Sequence, residues 1–140
     1  MIRWAVQFIL RKTKTFNNHT MNIIWVFLGG GIGSLLRYFI GTLFSKTTLL
    51  LPIATLCANV LSCFIFAFAL FVFNEKLQSS GSLKLFLLTG ICGGLSTFST
   101  FSYETFELLK QHSYGWASAN ILLSVILCML IFYIFIGKLS

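Results

Sequence analysis

The segment from Thr89 to Glu107 (TGICGGLSTFSTFSYETFE) holds most of the residues in this chain that could do chemistry. It combines three glycines, a series of Ser and Thr residues, and phenylalanines at Phe98 and Phe101. The segment lies inside a hydrophobic stretch, where irregular backbone is tolerated only if it is buried in protein or lines a wet cavity. This composition therefore predicts a pore or an ion site.

Phe98 and Phe101 are spaced i, i+3, which puts both rings on one face of a helix. In a chain with 16 phenylalanines, core packing is the ordinary explanation. The alternative is specific, because an aromatic ring is electropositive at its edge. Two ring edges in a dry slot would favour a small anion without a full charge.

Thr55, Asn59 and Ser62 fall at i, i+4, i+7 and so share one helix face. A mid-membrane Asn costs free energy unless its amide is hydrogen-bonded. Asn59 then either joins two helices or offers its NH₂ group to an anion, and both interpretations stand.

Residues 93–97 (GGLST) would expose backbone carbonyls at a helix break, and such carbonyls suit a hard cation such as Na⁺. The alternative is a plain kink between packed helices. Ser99 and Thr100 either extend a hydroxyl track or bond back to their own helix. Glu104, one turn beyond Thr100, either ends that track at the water interface or is a solvated helix-end carboxylate.

The composition requires a membrane protein, since 57% of the residues are hydrophobic and 9% are charged. A helix needs about 20 apolar residues to cross the hydrocarbon core. Four uncharged stretches supply them: Thr15–Leu36, Thr47–Asn74, Leu85–Tyr103 and Gln111–Gly137. The predicted fold is all-α with four transmembrane helices, the third of them broken into two half-helices around residues 93–97.

The remaining composition excludes other classes of function. The net charge of +7 comes from Lys and Arg that mostly flank the spans, where they act as topology determinants, and no nucleic-acid partner is expected. The four cysteines form no CxxC motif and are interpreted as small buried hydrophobes. No catalytic constellation is present, so an enzyme is not predicted.

A single domain preceded by an N-terminal extension is predicted. Residues 1–20 form a basic N-terminal extension, either a short interfacial helix or a segment upstream of a true start at Met21. Residues 21–140 form one four-helix domain. Its first helix carries Gly29 and Gly33, a small-xxx-small surface for close helix approach, and Arg37, which must snorkel, pair or face water.

The positive charges are evenly divided between the two sides of the membrane if the chain begins at Met21. Three (Lys76, Lys84, Lys138) lie on the N-terminal side and three (Arg37, Lys46, Lys110) on the other. The positive-inside rule then gives no preference. Such a chain inserts both ways round, and antiparallel copies can pair about a two-fold axis in the membrane plane.

Taken together, these motifs resemble the fluoride exporter channels of the Fluc (CrcB) family from about Met21 to the C-terminus. The string GICGGLSTFSTFSYE is similar to the family signature, CANVLS to its second-helix Asn motif, and GGGIGSLLRY to its first-helix segment with the Arg. The resemblance implies a passive fluoride channel in the inner (plasma) membrane. It also implies an antiparallel, dual-topology homodimer with two pores and a structural Na⁺ at the interface.

The resemblance also assigns site residues. It implies that Asn59, Phe98 and Phe101 line the pore, and that the backbone carbonyls of Gly93 and Ser96 hold the Na⁺. Hydroxyl and carboxylate positions along the ion path are matched by Thr55, Glu104 and Ser124. This chain departs from the family pattern at Ser96, where Thr is common, and at Cys128, where another hydroxyl is often found.

Two other functions compete with a fluoride channel. A small dual-topology, proton-coupled drug transporter has a similar size, but it needs a titratable carboxylate deep in the membrane, which the first two spans lack. A structural membrane subunit would explain the glycine faces but not the series of hydroxyl and aromatic side chains.

Overall fold

The computed structural model describes the backbone of residues 2–46 and 51–137 and the side chains of residues 20–46, 51–73 and 80–137. The described regular elements are all helical. They are α1 (Ile2–Leu43), α2 (Ile53–Ser79), α3 (Gly81–Lys84), a π-helical segment (Leu85–Cys92), α4 (Gly93–Leu95), α5 (Phe98–Lys110) and α6 (Tyr114–Ile136).

Four segments are long and apolar enough to cross a membrane: Thr20–Leu43, Ile53–Phe73, Gly81–Lys110 and Tyr114–Ile136. The four-span prediction is thereby confirmed at the level of helix number and length. In α1 the helical backbone runs without interruption from Ile2, whereas the side chains of residues 1–19 lie outside the described part. The role of the basic extension therefore stays a prediction.

The third span is broken, as its glycines and hydroxyl residues predict. Helix α4 ends at Leu95, and the backbone is extended at Ser96 (φ −74°, ψ 153°) and Thr97 (φ −149°, ψ 108°) before α5 begins at Phe98. Proline does not cause this break, because the single proline of the chain is Pro52. Thr97 instead caps α5, since its hydroxyl accepts a hydrogen bond from the Thr100 N–H at 3.2 Å.

Helix α1 packs backbone to backbone against the part of the third span that precedes the break. A Cβ added at Gly29 would meet Phe86 O and Gly90 Cα, and one added at Gly33 would meet Ile91 O and Leu95 N. Only glycine fits at both positions, so these two small residues form a close helix–helix contact. The Ser62 hydroxyl of α2 donates to the Cys92 carbonyl at 2.8 Å and ties a third helix to the π-helical segment.

Helices α2 and α6 pack through aromatic edges: the Phe135 ring meets Phe64 at 5.4 Å and the Phe132 ring meets Phe66 at 5.7 Å between centroids. Most apolar side chains are exposed on the surface of the protomer. In the first and fourth spans, only 11% of the most hydrophobic 18-residue stretch is buried. This surface lies in hydrocarbon or against another membrane helix, since soluble proteins rarely expose an apolar area of this size to water.

Candidate functional site

An open groove of about 360 Å³ runs along the protomer beside the break in the third span. It brings together residues from α2, the break, α5 and α6. Five predicted site residues lie in its wall: Asn59, Ser96, Phe98, Phe101 and Ser124. The rest of the wall is formed by Cys63, Thr97, Val125, Cys128 and Met129, so the groove contains no charged side chain.

Asn59 holds the break open. The Thr97 backbone N–H donates to the Asn59 side chain at 2.8 Å. Because a backbone N–H can only donate, the accepting atom is the amide oxygen Oδ1. The NH₂ group of Asn59 makes no hydrogen bond within the described part of the chain, and it remains a donor at the groove wall. Asn59 thus joins α2 to the break through its oxygen, while a role of its NH₂ group toward an anion stays a prediction.

The break leaves the last carbonyls of the helix before it without their usual partners, those of Gly93 and Ser96 among them. In an uninterrupted helix the Thr97 N–H would bond to Gly93 O and the Thr100 N–H to Ser96 O. Here these donors bond instead to Asn59 Oδ1 and to Thr97 Oγ1. The carbonyls of Gly93 and Ser96 therefore lose their usual partners. They are the two carbonyls that the family resemblance implies as Na⁺ ligands, a role that stays a prediction.

The aromatic pair stands at the beginning of α5. The Phe98 and Phe101 rings are 5.9 Å apart between centroids and tilted by 38°. Phe98 is 80% exposed in the protomer, whereas Phe101 is half-buried. A large ring with that exposure at membrane depth is not a core residue, so simple core packing does not account for Phe98.

A buried hydrogen-bonded chain that sequence reasoning missed positions Phe101. Asn120 Nδ2 on α6 donates to Thr105 Oγ1 at 2.9 Å, and that hydroxyl donates to the Phe101 carbonyl at 2.8 Å. Asn120 is 1% exposed. Its i, i+4 spacing from Ser124 shows that the two residues share a face, but not that this face meets α5.

Ser124 lies one turn beyond Asn120 and lines the groove. Its hydroxyl oxygen is buried and has no hydrogen-bond partner among the described residues. Buried hydroxyls are nearly always paired in proteins. An unpaired one in a groove wall is therefore available to a bound ion or water.

The remaining polar candidates lie outside the groove wall. Thr55 donates to Glu104 Oε1 at 2.7 Å, while Glu104 Oε2 is buried without a partner in the described part. Thr97 Oγ1 donates to Thr100 Oγ1 at 2.8 Å and lies 3.4 Å from Ser99 Oγ. Ser99 and Thr100 therefore bond within their own helical turn, as one of the two interpretations expects.

Charged side chains lie away from the groove. Glu107 forms an ion pair with Lys110 at 3.1 Å on the exposed end of α5, an arrangement that contributes about 0–1 kcal/mol. Arg37 is half-buried and makes no ion pair within the described part of the chain.

Gly93 is exposed, and a Cβ added there would meet nothing within 4 Å.

The prediction of four buried cysteines is wrong for three of them. Cys92 is buried, but Cys57, Cys63 and Cys128 are half-buried. Cys63 and Cys128 lie one turn beyond Asn59 and Ser124, respectively, and this spacing carries both into the groove wall. The same spacing is readable in the sequence once Asn59 and Ser124 are placed at a common site.

Comparison with known proteins agrees with this architecture. The family model described as "CrcB-like protein, Camphor Resistance (CrcB)" matches residues 24–137. The chain is 43% identical over 100 residues to the "Fluoride-specific ion channel FluC" of Cronobacter sakazakii, covering 71% of this chain and 79% of that protein. It is 40% identical over 104 residues to the protein of the same name from Serratia proteamaculans, covering 74% and 82%.

A protein of that name from Salmonella newport is 39% identical over 104 residues, with the same coverage of 74% and 82%. The family match includes all four candidate spans from Ile24 onward and every residue of the groove wall. This four-span membrane protein therefore belongs to the CrcB family.

Proposed function

We propose that this chain is a fluoride-selective, passive ion channel of the plasma membrane that lets cytoplasmic fluoride leave the cell and so gives fluoride resistance. The names of its FluC relatives support this function. The observation that carries it is the divided Asn59 amide, whose oxygen is bonded to Thr97 while its NH₂ group stays free in the groove wall.

The groove offers an anion partial positive charge without a full one. Its polar donors are the Asn59 NH₂ group and the Ser124 hydroxyl, and Phe98 and Phe101 add ring edges. A small anion can exchange part of its hydration shell for these groups. Because no Lys or Arg lines the groove, the ion is not held tightly, and conduction requires that it can leave.

Thr55, Ser99, Thr100 and Glu104 extend this path beyond the groove in our proposal. The Thr55–Glu104 hydrogen bond joins α2 to α5 near the end of the span. The other Glu104 oxygen, Oε2, is buried and has no partner among the described residues. A carboxylate at the mouth would otherwise repel the anion, so we assign it to ordering the hydroxyl groups rather than to binding fluoride.

An antiparallel homodimer with dual topology completes the channel. Ser99, Thr100 and Ser102 are exposed on the protomer close to the break, at a depth where lipid offers no hydrogen bonds. Gly93 is also exposed, and a Cβ added there would meet nothing within 4 Å, so the position permits close approach of a second backbone. The balanced positive charges allow copies of opposite orientation, and pairing covers these polar groups.

A structural Na⁺ at the interface fits the residues present. The break leaves the Gly93 and Ser96 carbonyls without their helical partners, and two antiparallel copies would supply two such pairs. Carbonyl oxygens suit a hard monovalent cation. The bound charge would offset repulsion between fluoride ions in neighbouring pores.

Fluoride efflux from proteoliposomes, recorded beside chloride and an organic cation, tests the function. A fluoride channel passes fluoride down its gradient without a proton gradient and excludes chloride. Proton-driven movement of the organic cation would instead indicate a drug transporter. If the folded protein carries no flux of any of these ions, a structural membrane subunit is the remaining interpretation. Substantial chloride flux would overturn fluoride selectivity.

A further inference from the structure

Two thiols line the groove wall, and they come from two different helices. Cys63 projects from α2 one turn beyond Asn59, and Cys128 projects from α6 one turn beyond Ser124. Both side chains are among the residues that line the same groove. Both are free thiols rather than a disulfide. The proposed fluoride path does not account for either thiol, because it needs hydrogen-bond donors such as the Asn59 amide and the Ser124 hydroxyl.

The number of ligands restricts which cation could bind. No group of three or more His, Cys, Asp or Glu in the described part of the chain could hold a metal ion, so a tetrahedral zinc site of such ligands is excluded there. Thiolates prefer soft cations, and Ag⁺ and Cu⁺ need only two thiolate ligands, in a linear arrangement.

We propose that Cys63 and Cys128 form a two-thiolate site for a soft monovalent cation of the Ag⁺ or Cu⁺ class, and that occupation of this site blocks the groove. Two S–H bonds break, two S–metal bonds form, and two protons pass to water, without oxidation or reduction. The bridge ties α2 to α6 between the residues that flank the ion path. The block rests on the proposed pore position of the groove, whereas metal binding does not.

Fluoride efflux measured with Ag⁺ in chloride-free buffer tests the block. Ag⁺ should reduce efflux to the rate of protein-free liposomes, and dithiothreitol should restore it. Each variant is compared with its own rate before Ag⁺ is added. Cys63→Ser and Cys128→Ser should each escape the block, and the matched control Cys57→Ser, on α2 but outside the groove wall, should remain sensitive.

Binding is measured separately on purified protein in detergent, by ultraviolet thiolate-to-silver absorption and by bound silver per chain. One Ag⁺ should be lost in either groove variant and kept in Cys57→Ser. Should a Ser variant not fold, Cys63→Ala and Cys128→Ala replace it. A block by Ag⁺ that survives in a variant carrying both Cys63→Ser and Cys128→Ser overturns the site. Silver binding that is the same in Cys63→Ser as in the wild type also overturns it. A wild-type protein that conducts no fluoride overturns the channel function, while the binding measurement still decides the site.

Discussion

Asn59 and Thr97 are joined by a 2.8 Å hydrogen bond in which a side-chain amide oxygen replaces a helix carbonyl as the partner of a backbone N–H. One bond thereby does two things. It interrupts the third span and frees the Gly93 carbonyl, and it turns the Asn59 NH₂ group into an unpaired donor in the groove wall. The helix break and the free NH₂ donor in the groove wall are consequences of the same contact.

Replacing Asn59 by Asp separates these two effects, because Asp keeps an oxygen for Thr97 and replaces the NH₂ donor by a negative oxygen. Repulsion between like charges at 4 Å is about 1 kcal/mol in water and about 4 kcal/mol near a protein surface. Fluoride flux should fall roughly fivefold to several hundredfold. Asn22→Asp, on α1 outside the groove wall, is the charge-matched control. Normal flux through a folded Asn59→Asp dimer would show that Asn59 only joins helices.

Gly33→Ala should destabilise the protomer. Its Cβ would meet Ile91 O and the Leu95 N atom at 2.8 Å, both of them backbone atoms that cannot swing aside. Overpacking of this kind costs about 1–3 kcal/mol. Gly41→Ala, on the same helix with nothing within 4 Å of the added Cβ, is the matched control. Unfolding followed in detergent by tryptophan fluorescence compares them; equal stability of the two variants would contradict the close packing.

Gly93 and Gly94 are neighbours with opposite expected roles. Gly93→Leu should leave the protomer folded but reduce both dimer fraction and fluoride flux, because the position is open within the protomer and is proposed to face a second copy. Gly94→Ala should instead weaken the protomer, since its Cβ would lie 2.5 Å from Gly30 O. Cross-linking in liposomes measures the dimer. Full dimerisation of Gly93→Leu would contradict this interface.

Na⁺ should stabilise the dimer through backbone carbonyls. Ser96→Ala should therefore retain the ion, because it leaves the carbonyl in place. Replacing Na⁺ by N-methylglucamine during dissociation and reassembly should lower both dimer recovery and flux, in wild type and Ser96→Ala alike. Sodium-free dimers with full activity would leave the freed Gly93 and Ser96 carbonyls without this role.

Topology should depend on where the chain begins. A chain starting at Met21 should insert in both orientations. A chain starting at Met1 adds four positive charges (Arg3, Arg11, Lys12, Lys14) to one side and should place its N-terminus inside. Accessibility of a terminal tag from each side of the membrane reports the orientation. Neutralising those four residues should restore the mixture; a single orientation of the Met21 chain would refute the charge argument.

Asn120→Ala should loosen α5 from α6, because it removes the donor to Thr105. Interhelical hydrogen bonds in membranes contribute about 0.6 kcal/mol on average and up to about 1.7 kcal/mol, and burial at 1% exposure favours the upper part of this range. Ser118→Ala, exposed on the same helix, is the control. A double-mutant cycle with Thr105→Val measures the coupling, and zero coupling would exclude the proposed positioning of Phe101.

The membrane class, the four spans and the position of the break can be predicted from the amino-acid sequence alone. These follow from local properties: uncharged stretches of sufficient length, the glycine and hydroxyl content of residues 93–97, and the small residues Gly29 and Gly33 on one helix face. Helical periodicity is enough to place Asn59 with Thr55, and Asn120 with Ser124, because residues four apart share a face.

Which helix faces contact each other is known only from the tertiary structure. Periodicity states that Ser124 and Cys128 share a face of α6, but not that this face lies opposite Cys63 and Asn59. It left open whether Asn59 binds protein or an anion, and the packing of α2 against the break shows that its oxygen binds protein. The hidden Asn120–Thr105 bond and the thiol pair have the same origin, since contacts between distant segments depend on how helices cross.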